Sequence, residues 1–145
     1  MIFYLITPLI LIGASSLGLI INPSWSISPF IWVFVLVPLI DLVLPYLSKQ
    51  DVDLKENVLH NFSILIILPC ILFLIIFGLI VVSDSSISIL VAAALGAAVG
   101  MSGGSIGITT AHELIHRQNK YMRGIGVLLL VLCCYGHFRI EHIYG

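Results

Sequence analysis

Long apolar stretches alternate with short polar separators along most of the chain. The apolar stretches cover about residues 1–21, 29–47, 58–82 and 87–111, and apart from Asp41 they contain no Asp, Glu, Lys or Arg. A transmembrane helix needs about 20 consecutive, mostly apolar residues. The pattern therefore predicts four transmembrane helices.

A fifth apolar stretch, residues 124–138, is shorter than the other four. As a helix it would be about 22 Å long, whereas the hydrocarbon core of a bilayer is about 30 Å thick. We therefore expect a short re-entrant or interfacial helical segment that returns to the side it left, with irregular backbone near Gly124, Gly126 and Gly136.

Composition agrees with a membrane protein. The 145 residues are 60% hydrophobic and 9% charged, and the mean hydropathy is +1.19. We predict an all-α integral membrane protein in which residues 1–145 form a single membrane-embedded domain. The net charge of −1 and the lack of a basic patch give no reason to expect nucleic acid as a partner.

Basic residues are unevenly distributed among the separators. The separators at 22–28 and 83–86 contain none, whereas the separator at 48–57 and the segment after the fourth span contain Lys49, Lys55, Arg117, Lys120 and Arg123. Loops rich in Lys and Arg stay in the cytoplasm. We therefore expect a multi-pass protein in which the end of the fourth span faces the cytoplasm.

Five glycines recur at four-residue spacing in the fourth apolar stretch. Gly96, Gly100 and Gly104 form one row, and Gly103 and Gly107 form a second row one face over. Small residues at this spacing allow close packing of transmembrane helices. Close helix packing is the main interpretation, and room for a long apolar substrate is the alternative.

A His-Glu-x-x-His motif, His112-Glu113-Leu114-Ile115-His116, follows the fourth stretch. On a helix, His112 and His116 lie on one face, where two imidazoles can bind one metal ion. The same motif is the signature of zinc metalloproteases, in which the glutamate is the general base. An intramembrane zinc protease, another metal enzyme, and a non-catalytic protein whose histidines are structural or carry a transported metal all remain possible.

A second group of ionisable residues lies near the end of the chain, where His137, Glu141 and His142 occur within six positions. Ionisable groups near membrane depth are costly and usually functional or paired. A carboxylate beside a ligand can orient its imidazole or neutralise metal charge. Glu113, Glu141, His137 and Asp41 are candidates for such supporting roles.

The motifs together resemble membrane alkane 1-monooxygenase, which belongs to the integral-membrane fatty acid desaturase and hydroxylase superfamily. The resemblance rests on Thr110-Ala-His-Glu-Leu-Ile-His-Arg117, on Tyr135-Gly-His-Phe138 and Ile140-Glu-His142, and more weakly on Pro38-Leu-Ile-Asp41. His112 and His116 match the first histidine box of that family, and His142 matches the opening of the second. The resemblance therefore implies His112, His116 and His142 as metal ligands.

The same resemblance implies a non-haem di-iron monooxygenase of the bacterial inner (plasma) membrane. It would hydroxylate the terminal carbon of alkanes or related apolar chains, using O₂ and electrons from rubredoxin, with membrane lipid around it. A fatty acid desaturase or hydroxylase of the same superfamily is the alternative. The second box of the family closes with two histidines that would follow Gly145, so we expect an N-terminal fragment that is inactive by itself.

Overall fold

The computed structural model describes residues 2–47 and 58–145, and within these ranges the chain is helical and has no strand. The first range forms α1 (Ile2–Ile20), a 3₁₀ turn (Pro23–Ile27), α2 (Ser28–Ile31), a π-helical segment (Trp32–Leu36) and α3 (Val37–Leu47). The second range forms α4 (Val58–Leu65), α5 (Ile67–Val82), α6 (Ile89–Ser102), a π-helical segment (Gly103–Gly107), α7 (Ile108–Ile115), α8 (Lys120–Leu132) and α9 (Phe138–Tyr144).

Three helical runs in the described ranges are long and apolar enough to cross a membrane. They are Pro23–Val43, Asn61–Val82 and Ile89–Ile115, and they correspond to the second, third and fourth predicted spans. The first predicted span is helical, but its apolar run, Ile6–Ile20, is shorter than these three. A fourth crossing therefore stays a prediction. The separator with Lys49 and Lys55 lies outside the described residues, so the sidedness also stays a prediction.

The second helical run begins earlier than the sequence pattern indicated. The Asn22 side chain accepts a hydrogen bond from the Ser24 amide at 2.9 Å, which caps the turn that starts at Pro23. Proline suits the first turn of a helix because its φ is already helical and it has no amide hydrogen to satisfy. The predicted separator at 22–28 is thus mostly a 3₁₀ turn that leads directly into α2.

A buried polar contact joins α1 to α6 inside a mostly apolar core. The Ser15 and Ser102 hydroxyls lie 2.7 Å apart, and the Ser15 hydroxyl also donates to the Ala98 carbonyl at 3.0 Å. Both serines are fully buried. The core around them consists of apolar side chains from α1, α5, α6, α7 and α8, among them Leu11, Leu74, Leu95, Leu114, Leu129 and Leu130.

The fifth apolar stretch is not one helix. Helix α8 starts at Lys120, where the Asn119 side chain accepts a hydrogen bond from the Tyr121 amide at 2.9 Å, so Gly124 and Gly126 lie inside a regular helix and not in irregular backbone. The helix ends at Leu132 because Cys134 takes a left-handed conformation, with φ of 55°. The reversal that follows leads into α9.

Helix α8 packs against α7 and runs antiparallel to it. In the middle of α8, a Cβ on Gly126 would lie 2.8 Å from Leu114 Cβ. Beyond its C-terminal end, the Cys133 thiol lies 3.4 Å from the Gly103 carbonyl oxygen. Helix α9 then returns His142 to His116 on α7. The chain therefore returns to His116 after residues 124–138, whereas a return to the same side of a membrane, by a re-entrant or interfacial segment, stays a prediction.

The return of the chain predicts the accessibility of two positions. Single cysteines at Asn119 and Tyr144, in a background without the native cysteines, should react with a membrane-impermeant thiol reagent from the same side of sealed vesicles. A cysteine at Ser85, between the predicted third and fourth spans, is the control and should react from the opposite side. Labelling of positions 119 and 144 from opposite sides would contradict the return.

Candidate metal centre

Three histidines converge where α7 ends and α9 returns. Potential ligand nitrogens of His112, His116 and His142 all lie within 4.8 Å of one another. The imidazole ring centroids of His112 and His142 are 4.4 Å apart, and those of His116 and His142 are 5.0 Å apart. The structure therefore brings together the three residues that the sequence predicted as metal ligands.

The distance between two of the nitrogens fits a shared ion. The Nε2 atoms of His116 and His142 are 2.9 Å apart. Two imidazole nitrogens that each lie about 2.1 Å from one metal at a right angle are about 3.0 Å apart. The same distance fits a hydrogen bond between two neutral imidazoles, of which one donates. The 2.9 Å distance is thus compatible with a shared metal ion and with a hydrogen bond between the two imidazoles, and measurement of bound metal distinguishes these two cases.

An aromatic side chain supports the histidines from α9. The Phe138 ring stacks on the His142 ring, with centroids 5.0 Å apart and planes 11° apart, and meets the His112 ring edge-on at 5.5 Å. Sequence reasoning missed Phe138 as a supporting residue. The signal was present, because Phe138 precedes His142 by four positions and so shares its helix face.

The four residues that the sequence suggested as supports for the metal ligands are not part of the histidine cluster. The Glu113 carboxylate accepts a hydrogen bond from the Arg117 guanidinium at 2.6 Å. The exposed His137 ring meets the Tyr135 ring, with centroids 4.6 Å apart. Glu141 on α9 and Asp41 on α3 are exposed. The proposed supporting roles of these four residues stay predictions.

An apolar cavity of about 500 Å³ lies beside α7, α1 and the start of α5. Thr109, Thr110 and Glu113 of α7 line it, as do Trp32 and Ile67. Thr109 precedes His112 by three positions and His116 by seven, which places all three on one helix face. The cavity therefore meets the histidine-bearing face at Thr109, nearer the start of α7, and no histidine of the described residues lines it.

The two glycine rows of the fourth stretch have different surroundings. A Cβ on Gly107 would lie 2.5 Å from the Cys133 sulfur, and one on Gly103 would lie 3.5 Å from it. In contrast, Gly96, Gly100 and Gly104 have nothing within 4 Å of such an atom. Close helix packing is thus confirmed for the row of Gly103 and Gly107. Those three glycines, together with Gly103, line another cavity of about 240 Å³.

Part of the chain is similar to alkane 1-monooxygenases. It is 47% identical over 47 residues to alkane 1-monooxygenase 2 of Pseudomonas aeruginosa, which is 32% of this chain and 12% of that protein. It is 45% identical over 51 residues to alkane 1-monooxygenase of Acinetobacter baylyi, which is 35% of this chain and 12% of that protein.

The similarity is local. The matching segments cover about one eighth of the length of these relatives, 12% in each case. No protein-family model matches the chain, and no solved structure matches it significantly. The comparisons therefore support a relation to alkane 1-monooxygenases in about a third of the chain.

Proposed function

We propose that this chain carries part of the metal centre of a membrane monooxygenase that hydroxylates the terminal carbon of alkanes or related apolar chains. The observation that carries the proposal is the convergence of His112, His116 and His142 from two separate helices. The local similarity to alkane 1-monooxygenases supports it.

Iron is the metal that we propose for these histidines. Imidazole suits iron and zinc alike, so the donor set by itself does not select between them. Hydroxylation of an unactivated carbon requires a redox-active metal that can use O₂, and zinc has no redox chemistry. The three imidazoles fit one ion, and the resemblance of their motifs to alkane 1-monooxygenase motifs supports a second iron held by ligands outside this group.

The roles of the chain's own residues follow from their positions. Helix α7 fixes His112 and His116 one turn apart, and the Phe138 ring restricts the rotation of both His112 and His142. We propose that the apolar cavity at Thr109 and Trp32 holds the substrate chain, because burial of each CH₂ contributes about 0.8 kcal/mol. Its position on the histidine-bearing face would direct one end of the chain toward the metal.

Electrons would come from rubredoxin, as the resemblance implies. The metal centre would face the cytoplasm of a bacterial inner membrane, because basic residues follow α7 directly. Arg117, Lys120 and Arg123 would then lie on the side where a cytoplasmic electron donor approaches.

Metal and product analysis of the full protein tests the proposal. Purified from membranes of iron-supplied cells, the protein should contain iron and should convert an alkane to the 1-alcohol when O₂, rubredoxin and a rubredoxin reductase are supplied. An unsaturated product would assign it to the desaturases of the same superfamily. Zinc without iron would end the monooxygenase proposal and favour the protease.

Replacing Glu113 with glutamine separates the two enzyme classes further. In a zinc protease this glutamate is the general base, so its loss should abolish peptide hydrolysis while zinc stays bound. In the proposed monooxygenase the carboxylate pairs with Arg117, so Glu113→Gln should retain iron and most of the hydroxylation rate. Arg117→Gln is the matched control, since it removes the other partner of the Glu113–Arg117 ion pair.

A further inference from the structure

A third cavity, of about 600 Å³, opens where the end of α7, the start of α8 and α9 meet. Its polar lining consists of His116, Arg117, Gln118, Arg123, Arg139 and His142. The chain has six Lys and Arg residues in total, so half of its basic side chains border this one cavity. No acidic residue in the described part of the chain lines it.

Two of the three arginines have no carboxylate partner among the described residues. Arg117 pairs with Glu113, but among the described residues neither Arg123 nor Arg139 forms a salt bridge. The Nε atom of Arg139 is also buried and has no hydrogen-bond acceptor there. An unsatisfied buried donor is costly, and more so when it carries charge. An anion in the cavity would supply a charge partner for the guanidinium groups of Arg123 and Arg139, which line it.

The chemistry and the position of the cavity both favour a phosphate group. The planar guanidinium matches phosphate oxygens in a bidentate manner, and Gln118 offers a further donor. Arg117 lies two positions beyond Ile115, the last residue of a candidate span, and Ile115 and Ile143 form an apolar edge of the cavity. Basic pockets at the cytoplasmic ends of transmembrane helices are typical sites for anionic lipid headgroups.

We propose that this arginine-lined cavity binds the phosphate of an anionic phospholipid. A concave site fits a headgroup better than the surface of an acidic protein, because a headgroup is small enough to enter a cavity of about 600 Å³. The proposal depends on the arginines and the membrane boundary, and it does not require that the histidines bind a metal.

Lipid retention by the full protein tests the assignment. The protein is reconstituted in vesicles of phosphatidylcholine with phosphatidylglycerol, extracted in mild detergent and examined by native mass spectrometry. The wild type should retain one phosphatidylglycerol. Arg123→Gln and Arg139→Gln should each weaken retention about tenfold or more, since a charge-assisted hydrogen bond is lost. Lys120→Gln is the matched control and should retain the lipid, because this base does not line the cavity.

Three results would overturn the assignment. One is unchanged phosphatidylglycerol retention in Arg123→Gln, which alters an exposed side chain and should fold normally even if Arg139→Gln does not. Another is equal retention of phosphatidylcholine and phosphatidylglycerol by the wild type. The third is stabilisation of the detergent-solubilised protein by inorganic phosphate but not by phosphatidylglycerol, which would show a site for the free anion. An acidic protein as the occupant would leave lipid retention unchanged in both variants.

Discussion

His142→Ala is expected to abolish iron binding and hydroxylation in the full protein. His142 is the only one of the three clustered histidines that comes from α9, and its Nε2 lies 2.9 Å from that of His116. Removal of groups that merely support metal ligands typically costs 10–100-fold in affinity or activity, so loss of a ligand should cost more than about 100-fold. Iron per protein and the rate of 1-alcohol formation are the measurements.

His137→Ala is the matched control for this change. His137 precedes α9, is exposed and contacts Tyr135 instead of the cluster, so its loss should lower the iron content far less than the loss of His142. His112→Ala and His116→Ala should behave like His142→Ala. Full iron content in His142→Ala would mean that His116 and His142 are only hydrogen-bonded to each other and that the metal lies elsewhere.

Gly126→Ala is expected to destabilise the protein and to reduce iron binding together with stability. A Cβ at this position would lie 2.8 Å from Leu114 Cβ and 3.0 Å from the Ala111 carbonyl oxygen. Both groups belong to α7, so α8 would have to move away from the helix that carries the histidine pair. Overpacking of this kind costs about 1–3 kcal/mol. A lower Tm in detergent and a lower iron content would be measured.

Gly124→Ala provides the control two positions away on the same helix. A Cβ there has no atom within 4 Å, and alanine is favoured over glycine inside a helix by about 1 kcal/mol. The Tm of Gly124→Ala should therefore equal or exceed that of the wild type. Equal destabilisation by both variants would show that α8 responds to helix propensity and not to its contact with α7.

The pairing of His112 with His116 could be predicted from sequence because both lie on one helix and four-residue spacing fixes their common face. The approach of His142 could be expected only through the resemblance to a family. Its physical cause is a reversal at Cys134, whose positive φ is uncommon for a residue with a side chain. The sequence favoured irregular backbone at glycines instead, and two of these, Gly124 and Gly126, lie inside α8.

The roles of the two glycine rows also could not be predicted from the sequence alone. Four-residue spacing is the same for both rows, so sequence alone gives them the same role. The difference arises from Cys133, a residue about 30 positions away in sequence, which α8 places against Gly103 and Gly107. The hydropathy pattern also did not predict where two helical segments start. Their starts are set by hydrogen bonds to the Asn22 and Asn119 side chains, and hydropathy carries no information on such capping.

The hydrogen bond between Ser15 and Ser102 fixes the position of α1 along the axis of α6. Leu11 and Leu19 lie one turn before and after Ser15, and both are buried. A slip of α1 by one turn would place a leucine opposite Ser102 and leave its hydroxyl without this partner, at a cost of about 1–3 kcal/mol. Apolar contacts alone would tolerate several axial positions, whereas this hydrogen bond selects one. Since Ser102 precedes the histidine motif on the same continuous helical run, the selected position also fixes the depth of α1 relative to His112.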